Sequence, residues 1–373
     1  MRDVREVATG LVAEVLNYLN AGVYLTDRER TIVFWNRRAE QITGHKAADV
    51  IGRRCADSVL SHVDKDGRPL CSSELCPLYR AMVTDAETAQ PVILYALAAS
   101  GERIPVSTSV APIHDEEGNV IGGVEVFRDE RAYMGQMDLA RGVIRGMLTT
   151  DLPSDERISF ALEYSPAEII GGDFYHVARV SQDVVALFVA DVAGHGISAA
   201  LYVALMRSLV QECGHLLADS SAFMAAMNQR LCDRVPQVGL VTALAATFNA
   251  TEHWMAYSSA GHPPALLQAA SGGPVGRLPA TGIPLGVERE AQFELVDLRM
   301  APGDRFLAYT DGVTEIKTGR AALLGVDGLA ALVQELPPEG RDHRLVELYA
   351  ALVRRSATPS QDDDLTMLSC MML

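Results

Sequence analysis

Four short segments of this 373-residue sequence set an aspartate where a strand ends or the chain turns sharply. They are Gly171-Gly172-Asp173-Phe174, Ala190-Asp191-Val192-Ala193-Gly194-His195-Gly196, Tyr309-Thr310-Asp311-Gly312-Val313 and Gln361-Asp362-Asp363-Asp364-Leu365-Thr366. Each aspartate abuts glycine or a strongly apolar run. A carboxylate at the rim of a core is costly unless something neutralises it. The first two segments carry no lysine or arginine, so a divalent cation is the natural partner. Hard cations take oxygen ligands and draw several carboxylates together. Singly, each segment also has a plain structural reading. Asp311-Gly312 is a common turn pair. Asp191 suits the N-cap of a helix starting near Ile197, and Asp363 and Asp364 suit a solvated turn. Four such segments together point to a metal centre.

Two further groups could do chemistry. His195, between two glycines, could contact a phosphate or donate a proton, or could cap the following helix. Gly194-His195-Gly196 lacks the spacing and lysine of a nucleotide-binding loop, and no dinucleotide fingerprint opens a helix, which argues against a nucleotide hydrolase. Cys55, Cys71 and Cys76 lie close in sequence with His62 between them. They could ligate a metal or iron–sulfur cluster, or form a redox pair that senses a signal. The gap from Cys71 to Cys76 is not the two-residue gap of most zinc sites. The alternative is a set of reduced core thiols.

The elements that must position these residues follow from periodicity. Residues 11–20 have helical spacing. Strand-like pieces at 23–26, 31–35, 92–98, 104–111 and 120–127, with a polar helix at 37–43 ending on Gly44, fit one mixed α/β unit. Met137, Ala140, Ile144 and Met147 recur at three- and four-residue steps between 128 and 150. That is a short heptad seam suited to paired helices, or one amphipathic helix lying on its own domain. Beyond Pro153, strands are expected at 158–164, 174–180, 184–190, 241–249, 253–259, 265–268, 293–299, 304–309 and 365–370. Helices are expected at 197–218, 221–234, 329–335 and 344–356. Many strands with grouped helices predict an α+β sheet-on-sheet core flanked by helices. The expected organisation is an N-terminal helix over 1–20, a first domain over 21–129, a helical linker over 130–151 and a second domain over 152–373.

Composition removes other classes. There are 48 acidic against 32 basic residues, a net charge of −16, which argues against a nucleic-acid surface. The apolar runs are far shorter than the ~20 residues of a membrane span. The charged first residues do not resemble a signal peptide, so a cytoplasmic protein without a membrane partner is expected. Six cysteines are too sparse for a disulfide scaffold.

Residues 20–128 resemble a PAS domain, on Gly22-Val23-Tyr24-Leu25-Thr26-Asp27, Trp35-Asn36-Arg37-Arg38-Ala39-Glu40, Ile42-Thr43-Gly44 and Gly118-Asn119-Val120-Ile121-Gly122-Gly123. The resemblance implies sensing without saying what is sensed. Residues 152–373 resemble the PPM (type 2C) protein phosphatases, in the bacterial SpoIIE/RsbU branch. Besides the four aspartate segments, the match includes Tyr164-Ser165-Pro166-Ala167, Ser259-Ala260-Gly261-His262-Pro263-Pro264, Gly282-Ile283-Pro284-Leu285-Gly286 and Thr314-Glu315. This resemblance implies a β-sandwich flanked by helices with two Mn²⁺ or Mg²⁺ ions at one end. Asp191 would bridge them, with the Val192 carbonyl on one. Asp173 would serve the second ion and Asp311 and Asp363 the first, with Asp364 a neighbour. His262 would shape a loop beside the site. Position 176, often acidic in this branch, is His176, and the phosphate-binding arginine of eukaryotic relatives has no counterpart.

The implied activity is metal-dependent phosphoserine/phosphothreonine hydrolysis by in-line attack of activated water. Asp191, Asp173 and His195 would be its catalytic residues. The implied substrate is a phosphorylated anti-sigma-factor antagonist in a partner-switching pathway. A homodimer through the PAS domain and linker is expected. Rival readings are a degenerate phosphatase fold that only docks partners, and a phosphatase of a small metabolite.

Overall fold

A computed structural model describes residues 11–373, apart from 58, 66, 72, 73, 89, 149, 150, 168, 193, 195, 236–239, 320, 321, 338–341 and 358–360. Its contacts divide the chain into two units, Met1–Gln136 and Met137–Leu373, each with its own core.

In the first unit, β1 (Gly22–Asp27), β2 (Ile32–Trp35), β3 (Val92–Leu97), β4 (Arg103–His114) and β5 (Val120–Asp129) form one antiparallel sheet. The strand order is β2-β1-β5-β4-β3. Alternating burial from Arg103 to Val110 along β4 reflects one face packed and the other more open. The helix Arg37–Thr43 starts where the Asn36 side chain accepts the Ala39 amide and stops at left-handed Gly44. Tyr24, Trp35 and Phe127 meet at ring separations of 5.6–6.4 Å in the core. The helix Pro77–Thr84, with Pro77 at its first turn, buries Leu78 and Ala81. It was not expected, because its apolar stripe is only two turns long.

The second unit contains β6 (Ile158–Ser165), β7 (Phe174–Arg179), β8 (Val184–Val192), β9 (Val241–Asn249), β10 (Trp254–Ala260), β11 (Ala265–Gln268), β12 (Gly276–Leu278), β13 (Val296–Arg299), β14 (Arg305–Tyr309) and β15 (Leu365–Met372). They form two antiparallel five-stranded sheets, β13-β10-β9-β8-β7 and β12-β11-β14-β15-β6. β9 and β15 lie inside their sheets and are buried almost throughout, so they read as continuous apolar runs rather than alternating ones. Phe248 of the first sheet meets Phe160 and Phe306 of the second, edge to face, at 6.0 and 5.4 Å. The helices Ile197–Cys213 and Ser220–Arg234 pack on the first sheet, and Gly325–Glu335 and Leu345–Arg355 on the second. Asp191, Asp311 and Asp363 thereby stand at or beside the ends of β8, β14 and β15.

The linker helix, Arg131–Leu148, buries Met137, Ile144 and Leu148 in the core of the second unit, with Ala140 and Met147 packed beside them. The apolar seam therefore lies on its own domain, which corrects its expected use as the face of a helix pair. The predicted strand 293–299 starts only at Val296, and the helix from Ile197 ends at Cys213, where Gly214 opens a 3-10 turn. Among the described residues no helix is long and apolar enough to cross a membrane.

Candidate metal centre and active site

Strand register brings the separated aspartates together. Asp191 is the penultimate residue of β8, opposite Thr242 of β9. Asp311 opens a single helical turn, Asp311–Thr314, directly beyond β14. Asp363 and Asp364 immediately precede β15, which pairs with β14. A Cβ on Gly312 would lie 2.0 Å from the Asp364 carbonyl, so only glycine lets these two chain ends approach.

Asp173 is almost wholly buried, at 1% exposure. Its Oδ2 accepts hydrogen bonds from the hydroxyls of Thr310 at 2.8 Å and Thr366 at 2.5 Å. Its Oδ1 is buried with no partner. Thr310 and Thr366 also tie β14 to β15, because the Thr366 amide donates to Thr310 Oγ1 at 3.1 Å. Neither threonine was singled out in the sequence. Their role depends on two strands pairing in register beside a segment 137 and 193 residues earlier in the chain.

The electrostatics are those of an uncompensated anionic cluster. Burial, and then the charge of Asp191, pushes the Asp173 carboxyl well above its usual range. Burial, Asp311 and Asp363 push Asp191 up to about 7. Asp311 is raised by burial and by Asp363, and Asp363 by burial first. Glu315, one turn beyond Asp311, is raised by burial and then by Asp311 and Asp363. Among the described residues, no lysine or arginine pairs with Asp173, Asp191, Asp311 or Asp363. Such carboxylates persist at neutral pH only if a cation joins them.

The donor set fits a hard divalent ion. It consists of carboxylates, an orphaned Asp173 Oδ1 and the Val192 main chain. A Cβ on Gly172 would fall 2.6 Å from the Val192 carbonyl, so the absent side chain keeps that oxygen accessible. Among the described residues, no three His, Cys, Asp or Glu side chains converge on one ion-sized point.

Asp364 has a different place from the one expected. Its Oδ1 accepts the Ala167 amide at 2.8 Å and its Oδ2 the Gly172 amide at 2.5 Å. Both oxygens hold the turn that presents Asp173, which makes Asp364 an anchor of that turn rather than a ligand. The run of three aspartates could not reveal which carboxylate bends back. His176 is neutral, its pKa lowered to about 4 by burial and by Arg207. His195 lies outside the described residues.

Residues 181–372 match the family profile described as Stage II sporulation protein E (SpoIIE). The chain belongs to this family of PPM-type phosphatases. Residues 20–132 match a PAS domain profile. The chain is 25% identical over 234 residues to phosphoserine phosphatase RsbU of Bacillus subtilis (strain 168), covering 63% of this chain and 69% of RsbU. It is 27% identical over 184 residues to phosphoserine phosphatase RsbP of the same organism, covering 48% of this chain but only 45% of RsbP. In fold, it is similar to the SiaA-PP2C domain of Pseudomonas aeruginosa, with a TM-score of 0.58 and 20% identity, over 65% of this chain and 98% of that one. The PP2C phosphatase domain and regulatory fragment of SpoIIE from Bacillus subtilis align with a TM-score of 0.51 and 14% identity, over 76% and 80%.

The SpoIIE-type domain carries the aspartates, and the PAS unit carries the cysteines. Cys55, Cys71 and Cys76 are free and buried, close enough to influence one another electrostatically. Burial first, then neighbouring acidic groups, pushes the Cys55 and Cys71 thiols up to about 12, so both are protonated thiols at neutral pH. Beside them lies a buried polar group the sequence did not disclose. Tyr24 donates to Glu125 Oε2 at 2.7 Å, and His62 Nε2 stands 3.5 Å from Glu125 Oε1.

Proposed function

We propose that this SpoIIE-family chain is a divalent-cation-dependent phosphatase of phosphoserine and phosphothreonine proteins, controlled by its PAS unit. The observation that carries the reading is the buried cluster of Asp173, Asp191, Asp311 and Asp363, raised in pKa by burial and mutual repulsion with no basic partner among the described residues. Mn²⁺ or Mg²⁺ bound there would supply water activation at neutral pH and charge neutralisation at the phosphoryl oxygens. Asp191, whose carboxyl is raised by Asp311 and Asp363, would serve both ions, with the Val192 carbonyl a further donor. Asp173 would serve one ion and Asp311 with Asp363 the other. The Thr310 and Thr366 hydroxyls hold Asp173 Oδ2 and leave Oδ1 for ligation. His195 is assigned to phosphate contact or proton donation to the leaving group.

The substrate proposed is a phosphorylated anti-sigma-factor antagonist, by similarity to the phosphoserine phosphatases RsbU and RsbP. We place the protein in the cytoplasm, as a homodimer joined through its PAS unit and linker. The domain limits proposed are 21–129 for the sensor, 130–151 for the linker and 152–373 for the catalytic domain. The direct test is hydrolysis of p-nitrophenyl phosphate with and without Mn²⁺. The wild type should turn over only with the ion, and Asp191→Ala should lose at least about 100-fold, the scale of losing a transition-state electrostatic contact. Equal turnover of the two proteins would refute the assignment.

A further inference from the structure

In the second unit, the linker helix and the turn that presents Asp173 border a cavity of about 660 Å³, within the size range of small-molecule sites. One face of the helix Arg131–Leu148 forms a wall, because Arg141, Ile144, Arg145 and Leu148 recur at three- and four-residue steps. Leu162 and Tyr164, alternate residues of β6, share a second wall. Gly171 of the turn and Tyr175 of β7 also line the space. Tyr164 and Tyr175 meet edge to face there, with ring centres 5.7 Å apart. Tyr175 is only 7% exposed, yet neither phenol hydroxyl makes a hydrogen bond among the described residues. Buried polar groups of this kind call for a partner. Arg141 and Arg145 add two positive charges, and no carboxylate is among the described lining residues. Arg141 does pair with Asp138 at 2.9 Å, but both side chains are more than half exposed and such a pair holds little. In a chain of net charge −16, a cavity so lined favours an anion.

We propose that this cavity binds a small aromatic organic anion, its ring against Tyr164 and Tyr175 and its carboxylate or sulfonate on Arg141 and Arg145. Aromatic rings favour edge-to-face and offset packing with such a pair. The planar guanidinium forks suit a carboxylate or sulfonate, and Ile144, Leu148 and Leu162 supply the apolar surface. The occupant touches two elements at once. The helix follows β5 of the PAS unit almost directly, from Asp129 to Arg131. The turn is tied to Asp364, which accepts the Ala167 and Gly172 amides. A Cβ on Gly171 would strike the Asp364 carboxylate, so the turn lies tight against it. A shift of that turn carries Asp173 with it, which couples occupancy of the cavity to the metal centre. The coupling rests on the divalent-ion reading; the site does not.

Calorimetric titration of the metal-free full chain with 1-naphthoate should show saturable binding of one molecule per chain. Arg141→Gln combined with Arg145→Gln, both at exposed positions, should weaken it about 10-fold or more, the scale of lost charged hydrogen bonds. Leu162→Trp, which fills the cavity, should abolish it. Neutral 1-naphthylmethanol, which keeps the ring and lacks the charge, should bind the wild type about 10-fold more weakly. Saturating 1-naphthoate should also change the Mn²⁺ dissociation constant by about 5-fold or more. An absence of saturable binding would overturn the site. Undiminished binding in the arginine variant would overturn it too, even if Leu162→Trp failed to fold. Equal affinity for the alcohol would overturn the anion as the ligand class. An unchanged Mn²⁺ affinity with 1-naphthoate bound would overturn the coupling. If the wild type binds no Mn²⁺, the divalent-ion reading fails while the 1-naphthoate titrations still decide the site.

Discussion

Asp191 illustrates how a proposed ligand opposes the stability of its own domain. Its folded carboxyl titrates near 7, raised from an ordinary value of 3.8, first by burial and then by Asp311 and Asp363. Between those values the folded state holds a proton that the unfolded chain has released. This group's contribution to metal-free stability therefore falls as pH rises from about 4 to about 7, and is least favourable above that. Asp191→Asn should melt several degrees above the wild type in chelator at pH 8, at roughly 2–4 °C per kcal/mol for a unit of this size. Near pH 4 the two melts should converge. Equal melting temperatures at pH 8 would show that the carboxylate cluster is not repulsive. Saturating Mn²⁺ should reverse the order at pH 8, because only the wild type gains ion-binding free energy.

Among the elements, the linker helix presents two faces with different duties. Met137, Ile144 and Leu148 pack into the second unit, whereas Leu139 and Val143, one turn apart, are 73% and 51% exposed. Gly135, Gly142 and Gly146 have open space around them, so they weaken the helix without serving a close contact. If the proposed homodimer uses this helix, it uses the Leu139 side. Leu139→Glu should then lower the mass in light scattering from two chains to one while leaving the far-UV helix signal intact. A wild-type mass of one chain would remove the dimer. At this scale much of the fold was legible in the sequence. β9 was expected over the span it occupies, and β8, β14 and β15 within a few residues, because long apolar runs bounded by turns permit little else. Gly44 stopped its helix as a left-handed cap. The heptad seam was legible as a pattern but not by destination, since the same spacing serves a partner helix or a sheet. The candidate site was legible where a local motif carries it, as with the proposed ligands Asp173, Asp191 and Asp311. It was not legible where register decides, as with Thr310, Thr366 and the Asp364 anchor. The Tyr24–Glu125–His62 group joins residues that only the folded PAS sheet brings together.

At the scale of the whole molecule, two units with separate cores assign sensing and catalysis to different parts of one chain. Removing residues 1–128 should leave the second unit folded and change its phosphatase rate by a measurable factor. An unchanged rate and unchanged oligomeric mass would take regulation by the PAS unit out of the account. In the other unit, the clustered aspartates are proposed to hold divalent ions and to cleave phosphoserine. The most direct measurement is phosphate release from a phosphoserine protein by the full chain, titrated with Mn²⁺, beside Asp191→Asn. Release should be absent in chelator, rise and saturate with Mn²⁺, and stay at background in the variant. Release that persists in chelator, or that is the same in Asp191→Asn, would contradict it.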